Sequence, residues 1–253
     1  MLTRHSRTEL VIGPEGVEKL QGSTVVVLGM GGVGSFTVEA LARAGVGKLI
    51  LVDKDEVDVT NINRQIPALT STIGQDKVDV MMKRVHEISP DIEVVPLRMF
   101  YLEETKEEIF HYNPDFVVDA IDTISAKILL IVECTKRGIP IVSSMGAANK
   151  VDPTQFRVMD ISKTKVDPIA KIIRRKLKDY GIYKGVKVVC SLEQPAAPRV
   201  DVTEAIVPQH VKEGEAPRKA KNPPASISFV PSVAGLILAS VVVRDLCGIH
   251  YKM

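Results

Sequence analysis

Four glycines within six residues are the first feature of the sequence that could carry out chemistry. Residues 29–34 satisfy the G-x-G-x-x-G pattern, and Asp53 follows the last of these glycines after 19 residues. Glycine lets the backbone turn tightly and approach phosphate oxygens, and a helix that begins there offers free N–H groups. An aspartate at this spacing can accept hydrogen bonds from ribose hydroxyls. The pattern leaves a nicotinamide cofactor and ATP as alternatives, and it predicts a nucleotide-binding loop with glycines Gly29, Gly31, Gly32 and Gly34.

The polar segment that follows Asp53 favours ATP. Adenylation places negative charge on the leaving pyrophosphate, so it needs a guanidinium, an ammonium group and a metal-holding carboxylate around the phosphates. Arg64, Lys77 and Asp122 supply one of each. Either cation alone would fit a solvated surface. Both together with the glycine loop favour ATP over NAD.

These side chains need elements that bring them to one place, and the first half of the chain provides them. Short β-branched runs alternate with segments of helical spacing, and glycine or proline ends several of them. This order predicts an α/β fold with a doubly wound, mostly parallel Rossmann-like sheet and helices on both faces. The carboxyl ends of the strands would then form the binding crevice. The predicted strands are 24–28, 48–52, 93–97, 116–121 and 139–143, and the predicted helices are 35–44, 77–88 and 124–137.

Composition excludes several classes of protein. Hydrophobic residues make up 45% of the 253 residues and charged residues 25%, which excludes a disordered or collagenous chain. The three cysteines form no C-x-x-C pair, so neither a disulfide framework nor structural zinc is supported. The first ten residues lack the apolar core of a signal peptide, which predicts a cytoplasmic location. The longest apolar run, 229–243, is shorter than the ~20 residues of a membrane helix, so we expect a buried or dimer-facing helix without membrane insertion.

The motifs resemble those of the ubiquitin-activating-enzyme-like adenylyltransferases. This superfamily includes the molybdopterin-synthase and thiamine sulfur-carrier adenylyltransferases. The resemblance covers almost the whole chain, from Arg4 and Arg7 to the C-terminal helix. Its motifs are G-x-G-G-x-G at 29–34, D-x-D at 53–55, N-x-x-R-Q at 61–65, G-x-x-K at 74–77 and D-x-x-D at 119–122.

The resemblance implies a role for each of these polar residues. Asp53 would hold the ribose of ATP, and Asn61, Arg64 and Lys77 would contact phosphates. Asp122 would position Mg²⁺. Arg7 would reach across a homodimer into the ATP site of the neighbouring subunit. The catalytic set is therefore Arg7, Arg64, Lys77 and Asp122, and the nucleotide-binding set adds Asp55, Thr60 and Thr123 to the glycines, Asp53 and Asn61.

Two departures from the superfamily narrow the function. Sulfur-carrier relatives carry paired C-x-x-C motifs for zinc, which this sequence lacks. Ubiquitin-activating relatives use a cysteine for thioester transfer, and Cys190 lies in the segment where such a cysteine would be sought. A buried structural cysteine is the alternative for Cys190. Cys134, on a predicted helix, and Cys247, near the C-terminus, are interpreted as packing residues.

The middle of the chain resembles the branch of the superfamily that dehydrates threonylcarbamoyladenosine beside the tRNA anticodon. Residues 146–155, 160–164 and 167–168 carry this resemblance. Residues 163–187 contain nine Lys or Arg against two Asp, a net charge of +7, so the rest of the chain carries −5. A basic helix over 168–180 suits a phosphate backbone, with a solvated helix face as the alternative. The predicted RNA contacts are Lys171, Arg174, Arg175, Lys176 and Lys178, and a second basic cluster, 218–221, follows in a proline-rich loop.

The expected function is ATP-dependent cyclisation of threonylcarbamoyladenosine in tRNA, through a carboxylate adenylate and release of AMP. One alternative is adenylation of the C-terminus of a ubiquitin-like sulfur carrier, and another is an NAD-binding redox module. The resemblance also admits a sulfur-transfer protein as a partner besides tRNA and a second subunit. We expect one adenylyltransferase-like domain over 1–253. Its parts would be an ATP-binding core at 20–150, a basic substrate-binding segment with a mobile loop at 151–228, and a C-terminal helix at 229–247.

Overall fold

A computed structural model describes residues 2–197 and 225–249 of the protein. Within these residues, helices and strands alternate along much of the chain. The strands are β1 (Thr24–Leu28), β2 (Lys48–Val52), β3 (Glu93–Leu97), β4 (Phe116–Asp119), β5 (Ile141–Ser144), β6 (Phe156–Asp160) and β7 (Lys187–Ser191). The helices are α1 (Ser6–Gln21), α2 (Gly34–Ala44), α3 (Lys77–Ile88), α4 (Glu107–Phe110), α5 (Ile124–Arg137), α6 (Pro168–Leu177) and α7 (Phe229–Leu246).

The seven strands form one sheet in the order β3-β2-β1-β4-β5-β7-β6. All neighbouring pairs are parallel except β6 and β7, which are antiparallel. In the register of the central strands, Val26 lies between Ile50 of β2 and Val117 of β4. The order of the strands reverses between β1 and β4, which places a crevice at their carboxyl ends. The prediction of a doubly wound, mostly parallel sheet is confirmed.

Alternate residues of the central strands enter different hydrophobic cores. Val25 and Val27 of β1 pack into a core with residues of α2, α3 and α7, while Val26 and Leu28 pack into a core with residues of α4 and α5. A third core joins α5, α6 and β7. The sheet is therefore covered on both faces, which explains why its central strands are continuous apolar runs.

Helix α7 packs closely against the helix that follows the glycine loop. A Cβ at Gly235 would lie 2.2 Å from the Val33 carbonyl oxygen, and Thr37 Oγ1 donates to the Gly235 carbonyl oxygen at 3.0 Å. By length and composition, α7 could cross a membrane, with 18 residues and a mean hydropathy of 1.8. In the fold, 44% of it is buried, and residues such as Leu238 lie in the first core. The core packing accounts for its apolar composition.

Several bounds differ from the sequence predictions for local physical reasons. Strand β4 ends at Asp119 because the Ile121 N–H donates to the Asp119 side chain at 3.1 Å instead of extending the strand. Helix α6 ends at Leu177, and a 3₁₀ turn over Lys178–Tyr180 leads to Gly181 at a φ of +74°. Strands β6 and β7 were not predicted, and they add part of the segment 151–228 to the sheet. The second basic cluster and the predicted mobile loop lie in 198–224, outside the described residues.

Asn149 is hydrogen-bonded to both Ala196 and Ala225, the first near the end of the described range 2–197 and the second at the start of the range 225–249. It has a φ of +60°, and its carbonyl oxygen accepts the Ala196 N–H at 2.8 Å. Its own N–H donates to the Ala225 carbonyl oxygen at 2.7 Å, and its Oδ1 accepts the Ala225 N–H at 2.9 Å. Asn63 Nδ2 also donates to the Ser226 carbonyl oxygen at 3.0 Å. The chain thus returns at 225 beside the N-x-x-R-Q segment.

Candidate nucleotide-binding site

The glycine loop lies where the order of the strands reverses, between β1 and β4. Gly29 has a φ of +93°, and its N–H donates to the Val52 carbonyl oxygen at 2.7 Å. A Cβ at Gly29 would lie 2.5 Å from the Ala120 carbonyl oxygen, and one at Gly34 would lie 1.7 Å from the Gly29 carbonyl oxygen. Both positions require glycine, because a Cβ at Gly29 would overlap the backbone directly after β4 and a Cβ at Gly34 would overlap the backbone of the loop itself.

Asp53, directly after β2, fixes the conformation of this loop. One carboxylate oxygen accepts the Met30 N–H at 2.6 Å, and the other accepts the Asp55 N–H at 2.8 Å. Burial raises the pKa of Asp53, and the positive charge of Lys77 offsets this in part. Each carboxylate oxygen has a further lone pair, so Asp53 can accept hydrogen bonds from ribose hydroxyls while it holds the loop.

Lys77 begins α3 and is buried, with 5% of its surface exposed. Its Nζ lies 3.3 Å from Asp55 Oδ2, and Lys54 Nζ lies 2.5 Å from Asp55 Oδ1. Burial alone would raise the pKa of Asp55, but the hydrogen bonds and charges of the two lysines lower it overall. The ion pair holds the Lys77 ammonium group beside the strand ends, where a phosphate could share it.

Arg64 lies against the glycine loop. A Cβ at Gly32 would be 3.2 Å from Arg64 Cγ. Its Nη1 donates to the Thr60 carbonyl oxygen at 2.9 Å and to Asn63 Oδ1 at 2.8 Å, and burial lowers the pKa of Arg64. Among residues 2–197 and 225–249, no carboxylate lies within ion-pair distance of this guanidinium. Its charge is therefore available to an anion at the loop.

Thr60 and Asn61 form the turn that precedes Arg64. The Thr60 N–H and Oγ1–H donate to Asp58 Oδ1 at 2.7 and 2.6 Å, and Asn61 Oδ1 accepts the Asp58 N–H at 3.2 Å. The two hydrogen bonds from Thr60 lower the pKa of Asp58. Contact of Thr60 and Asn61 with a nucleotide remains a prediction.

Gln65 is a residue of this site that sequence reasoning did not single out. It is 8% exposed, and its Oε1 has no hydrogen-bond partner in the described part of the chain. Its Nε2 would lie 3.8 Å from a Cβ at Gly31. An unpartnered amide oxygen beside the loop fits a site that a nucleotide completes, because buried polar atoms are nearly always hydrogen-bonded. Gln65 is the last residue of the N-x-x-R-Q motif at 61–65, and this position is the sequence feature that could have indicated its role.

Asp122 is exposed after β4 and begins the turn into α5. Thr123 Oγ1 lies 3.3 Å from Asp122 Oδ1. The hydrogen bond to Asp55 raises the pKa of Lys54, and the charges of Asp55, Asp53 and Asp122 raise it further. The described residues contain no cluster of three or more His, Cys, Asp or Glu that could hold a metal. A single accessible carboxylate suits Mg²⁺, which takes most of its other ligands from phosphates and water.

Arg7 is the one predicted residue of the ATP site that its own chain does not bring to the carboxyl ends of the strands. It lies in the first turn of α1 and is exposed. The preceding residues 2–5 lie against Gly45 and Ser89 in a cleft near the starts of β2 and β3. These strand starts lie at the end of the sheet opposite to the glycine loop. Arg7 can act on an ATP site only if that site belongs to another subunit.

All three cysteines are poor candidates for catalysis. Cys134 and Cys190 are buried, and burial is the main cause that raises the pKa of each thiol to about 12. Burial also raises the pKa of Cys247. The thiolate is the reactive form, so these thiols are unreactive near neutral pH. For Cys190, the structure therefore favours a buried structural cysteine over a catalytic one.

The basic helix α6 exposes most of the predicted RNA contacts. Lys171, Arg175, Lys176 and Lys178 are exposed, and Lys176 Nζ lies 3.7 Å from Asp179 Oδ2. Arg174 differs from them. It is half-buried, and its Nη1 donates to the Thr164 carbonyl oxygen at 2.5 Å. The structure thus gives Arg174 a contact within the protein, because the helix turns it inward.

The fold and the glycine loop define a nucleotide-binding α/β protein, and comparison with known proteins gives its family. The ThiF family model matches residues 3–252, so the chain belongs to the ThiF family. It is 58% identical over 246 residues to the tRNA threonylcarbamoyladenosine dehydratase of Bacillus subtilis (strain 168), covering 97% of this chain and 95% of that protein. Structures of the Escherichia coli tRNA N6-threonylcarbamoyladenosine dehydratase with ATP and with AMP match at a TM-score of 0.85. Their identities are 31% and 32%, and each match covers 97% of this chain and 94% of that chain.

A sulfur-carrier relative matches over a shorter length. The sulfur carrier protein adenylyltransferase of Thermus thermophilus is 35% identical over 145 residues, which is 56% of this chain and 52% of that protein. The similarity to this relative covers about half of each chain. The resemblance to the dehydratase branch, in contrast, extends through the basic segment.

Proposed function

We propose that the protein is an ATP-dependent tRNA threonylcarbamoyladenosine dehydratase. The observation that carries the proposal is the alignment of 97% of the chain with the B. subtilis dehydratase at 58% identity. The site supports it, because Asp53 and Arg64 contact the glycine loop and Lys77 pairs with Asp55 beside it. The buried thiols also fit a reaction that needs no enzyme nucleophile. We place the enzyme in the cytoplasm, where its tRNA substrate is found.

The substrate supplies the nucleophiles of both steps. The carboxylate of the threonyl group attacks the α-phosphorus of ATP, and pyrophosphate leaves. A nitrogen of the same threonylcarbamoyl group then attacks the activated carbonyl carbon. AMP leaves with one oxygen of the former carboxylate, the nitrogen loses its proton, and a ring closes. The nucleoside has then lost one molecule of water, and no sulfur-transfer protein is needed for any step.

The residues of the candidate site stabilise the charge that develops on the phosphates. The Arg64 guanidinium and the Lys77 ammonium group each contribute about 2–4 kcal/mol to the transition state, by comparison with other preorganised donors. Asp53 orients the ribose, and Gln65 Oε1 accepts a hydrogen bond from the nucleotide or its water shell. Asp122 would hold Mg²⁺, which supplies further neutralisation of phosphate charge when it is bound. Thr123 supports the Asp122 carboxylate.

We propose that the protein acts as a homodimer in which Arg7 of one subunit completes the ATP site of the other. Large apolar side chains are exposed on α1 and α7: Leu10 and Val11 are 87% and 81% exposed, and Leu236 is 47% exposed. A monomer rarely exposes such side chains together. A two-fold interface over these helices would cover them.

Lys171, Arg175, Lys176 and Lys178 are the proposed contacts to the RNA backbone. Their exposure and the charge of +7 over 163–187 support this role. Arg174 is left out of this set because its guanidinium is bonded to Thr164. We interpret Arg174 as the residue that fixes the start of the basic segment against α6.

The deciding experiment supplies ATP with tRNA that carries threonylcarbamoyladenosine, or with a ubiquitin-like sulfur carrier. We expect AMP to form with the tRNA, and mass spectrometry of the digested tRNA to show a nucleoside that has lost one water. A carrier adenylate without tRNA turnover would favour the sulfur-carrier alternative. Turnover of neither substrate, with tight binding of a nicotinamide dinucleotide, would favour the redox alternative.

A further inference from the structure

Two exposed tyrosines follow the basic helix α6. Tyr180 and Tyr183 are 58% and 64% exposed, and they are two of the five tyrosines in the chain. Within the described residues, neither ring contacts another ring or a cation, and neither phenol has a hydrogen-bond partner. Packing inside the subunit therefore does not account for either ring.

The backbone that carries the two rings is fixed at several points. Gly181 has a φ of +74°, and the Ile182 N–H donates to the Leu177 carbonyl oxygen at 3.0 Å. The Ile182 side chain packs against the third core. Further along, the Gly185 N–H donates to Asp160 Oδ2 at 2.6 Å. The rings are thus presented from an anchored turn, which lowers the entropy that a bound ligand would have to order.

Positively charged residues come before and after the two tyrosines in the sequence. Lys171, Arg175 and Lys178 are exposed at helical spacing of four and three residues, so they share one face of α6 and the turn after it. Lys184 is exposed directly after the second tyrosine. In residues 2–197 and 225–249, no carboxylate lies within ion-pair distance of these four side chains. The surface has unpaired positive charge beside flat aromatic rings.

A cleft of about 420 Å³ adjoins this surface. It runs along α5 from Ser125 to Lys136, and Tyr180 lines it. Ser125 is three residues after Asp122 in the chain. Each of the three carboxylates that line the cleft lies beside a lysine. Lys106 pairs with Glu103, Lys136 lies 3.1 Å from Glu133, and Lys176 lies 3.7 Å from Asp179. The cleft therefore does not repel an anion strongly.

We propose that Tyr180 and Tyr183 stack on unpaired nucleobases of the RNA substrate while the cations of α6 bind its backbone. The inference rests on the proposed function and adds a base-binding subsite to it. Two residues three positions apart are separated by at most ~10 Å, which suits neighbouring nucleotides of one loop. Aromatic rings beside cationic side chains are the arrangement by which proteins bind single-stranded RNA, whereas duplex RNA is bound through its backbone.

The test measures binding of an anticodon stem-loop RNA that carries threonylcarbamoyladenosine and 2-aminopurine in its loop. We expect Tyr180→Ala and Tyr183→Ala each to raise the Kd about fivefold or more, since stacking contributes substantially per base. The quenching of 2-aminopurine fluorescence on binding should also decrease. Tyr180→Phe and Tyr183→Phe keep the ring, so they should keep the parental Kd and quenching.

Ile172→Ala is the matched control, because it removes a partly exposed apolar side chain without a ring from the adjacent helix α6. It should bind the RNA as the parent does. Parental Kd and quenching in both alanine variants would overturn the inference and leave the proposed function standing. If the parent neither binds nor dehydrates the RNA, the proposed function fails, and this inference fails with it. Unfolding curves of all variants separate loss of binding from loss of folding.

Discussion

Lys127 Nζ lies 2.9 Å from Asp119 Oδ2, and both side chains are buried, with 3% and 0% exposed. The same carboxylate accepts the Ser143 hydroxyl and the Ile121 N–H. Asp119 is the last residue of β4, so these bonds set the turn that leads to Asp122. The buried ion pair thus positions an exposed carboxylate of the nucleotide site, although neither partner of the pair is exposed to the nucleotide.

Replacement of Lys127 should destabilise the protein strongly. Lys127→Met leaves the Asp119 carboxylate buried without its cation, so the free energy of unfolding should fall by about 3–5 kcal/mol. Urea denaturation measures this change. The double variant Asp119→Asn with Lys127→Met removes the uncompensated charge and should recover part of the loss. A single variant as stable as the parent would show that the pair does not stabilise the turn.

Replacement of Arg64 should reduce catalysis without unfolding the protein. Arg64→Ala removes a guanidinium that has no described carboxylate partner, so kcat should fall about 10²- to 10³-fold while the unfolding midpoint changes little. Arg157 is a matched control, because its Nη1 also donates to backbone carbonyl oxygens, at Thr154 and Phe156, on the far edge strand. Arg157→Ala should keep parental kcat. Equal effects of the two substitutions would contradict a phosphate-binding role for Arg64.

The Asp55 carboxylate should give the protein an acid-dependent part of its stability. Its pKa is lowered in the folded protein, so its contribution is present above the ordinary value of 3.8 and is lost as pH falls through the folded pKa. Because Asp55 is about half exposed, the contribution is at most ~1 kcal/mol. Asp55→Asn should therefore be less stable than the parent near neutral pH. Urea midpoints of the two proteins should converge in acid, and a difference that grows in acid would contradict this account.

The shared ATP site can be tested by mixing two inactive proteins. Arg7→Ala and Asp122→Ala should each abolish dehydration, since both residues belong to every complete site. After unfolding and refolding together in equal amounts, half of the dimers are mixed, and one of their two sites is intact. Activity should then return to about a quarter of the parental value. No recovery, or sedimentation of an active monomer, would exclude the contribution of Arg7 to the neighbouring subunit.

The basic face should make tRNA binding depend on salt. Lys171→Ala, Arg175→Ala and Lys178→Ala combined should weaken tRNA binding and flatten the plot of log K against log salt by about 0.7–0.9 per lost phosphate contact. ATP binding should not change. Arg174→Ala is the control, because its guanidinium is bonded to Thr164 and should affect stability more than the slope. A parental slope in the triple variant would assign these cations to a solvated helix face.

Local sequence signals predicted the elements that carry the site. The runs of β1, β2 and β3 and the helix bounds of α3 and α5 match because buried apolar runs end at glycine, proline or charge within a few residues. Strands β6 and β7 were missed, since β6 is a half-exposed edge strand and β7 lies inside the stretch that was interpreted as basic surface. Two of the five residues of β6, Arg157 and Asp160, are charged, so its sequence resembles that of a loop.

The side chains were harder to predict than the elements. Arg174 and Arg175 are adjacent and chemically identical, and only the rotation of α6 against the third core turns one inward and the other outward. Lys127 is eight residues from Asp119, and their contact depends on how α5 packs on β4. Gln65 is uncharged, so its residue type gave no reason to assign it a role. Its Oε1 is recognised as a buried atom without a hydrogen-bond partner only in the folded structure. Long-range packing decides each of these cases.

The bonds of Asn149 make one residue responsible for the placement of two segments that are distant in the sequence. Its backbone and its side-chain oxygen together bond to Ala196 and Ala225, which are 29 positions apart. Asparagine adopts the positive φ of this position more readily than most residues, and its side chain supplies one of the three bonds. Most other residues at 149 would lose that bond and strain the backbone, so a single substitution outside the glycine loop would loosen the segment that Asn63 contacts at Ser226.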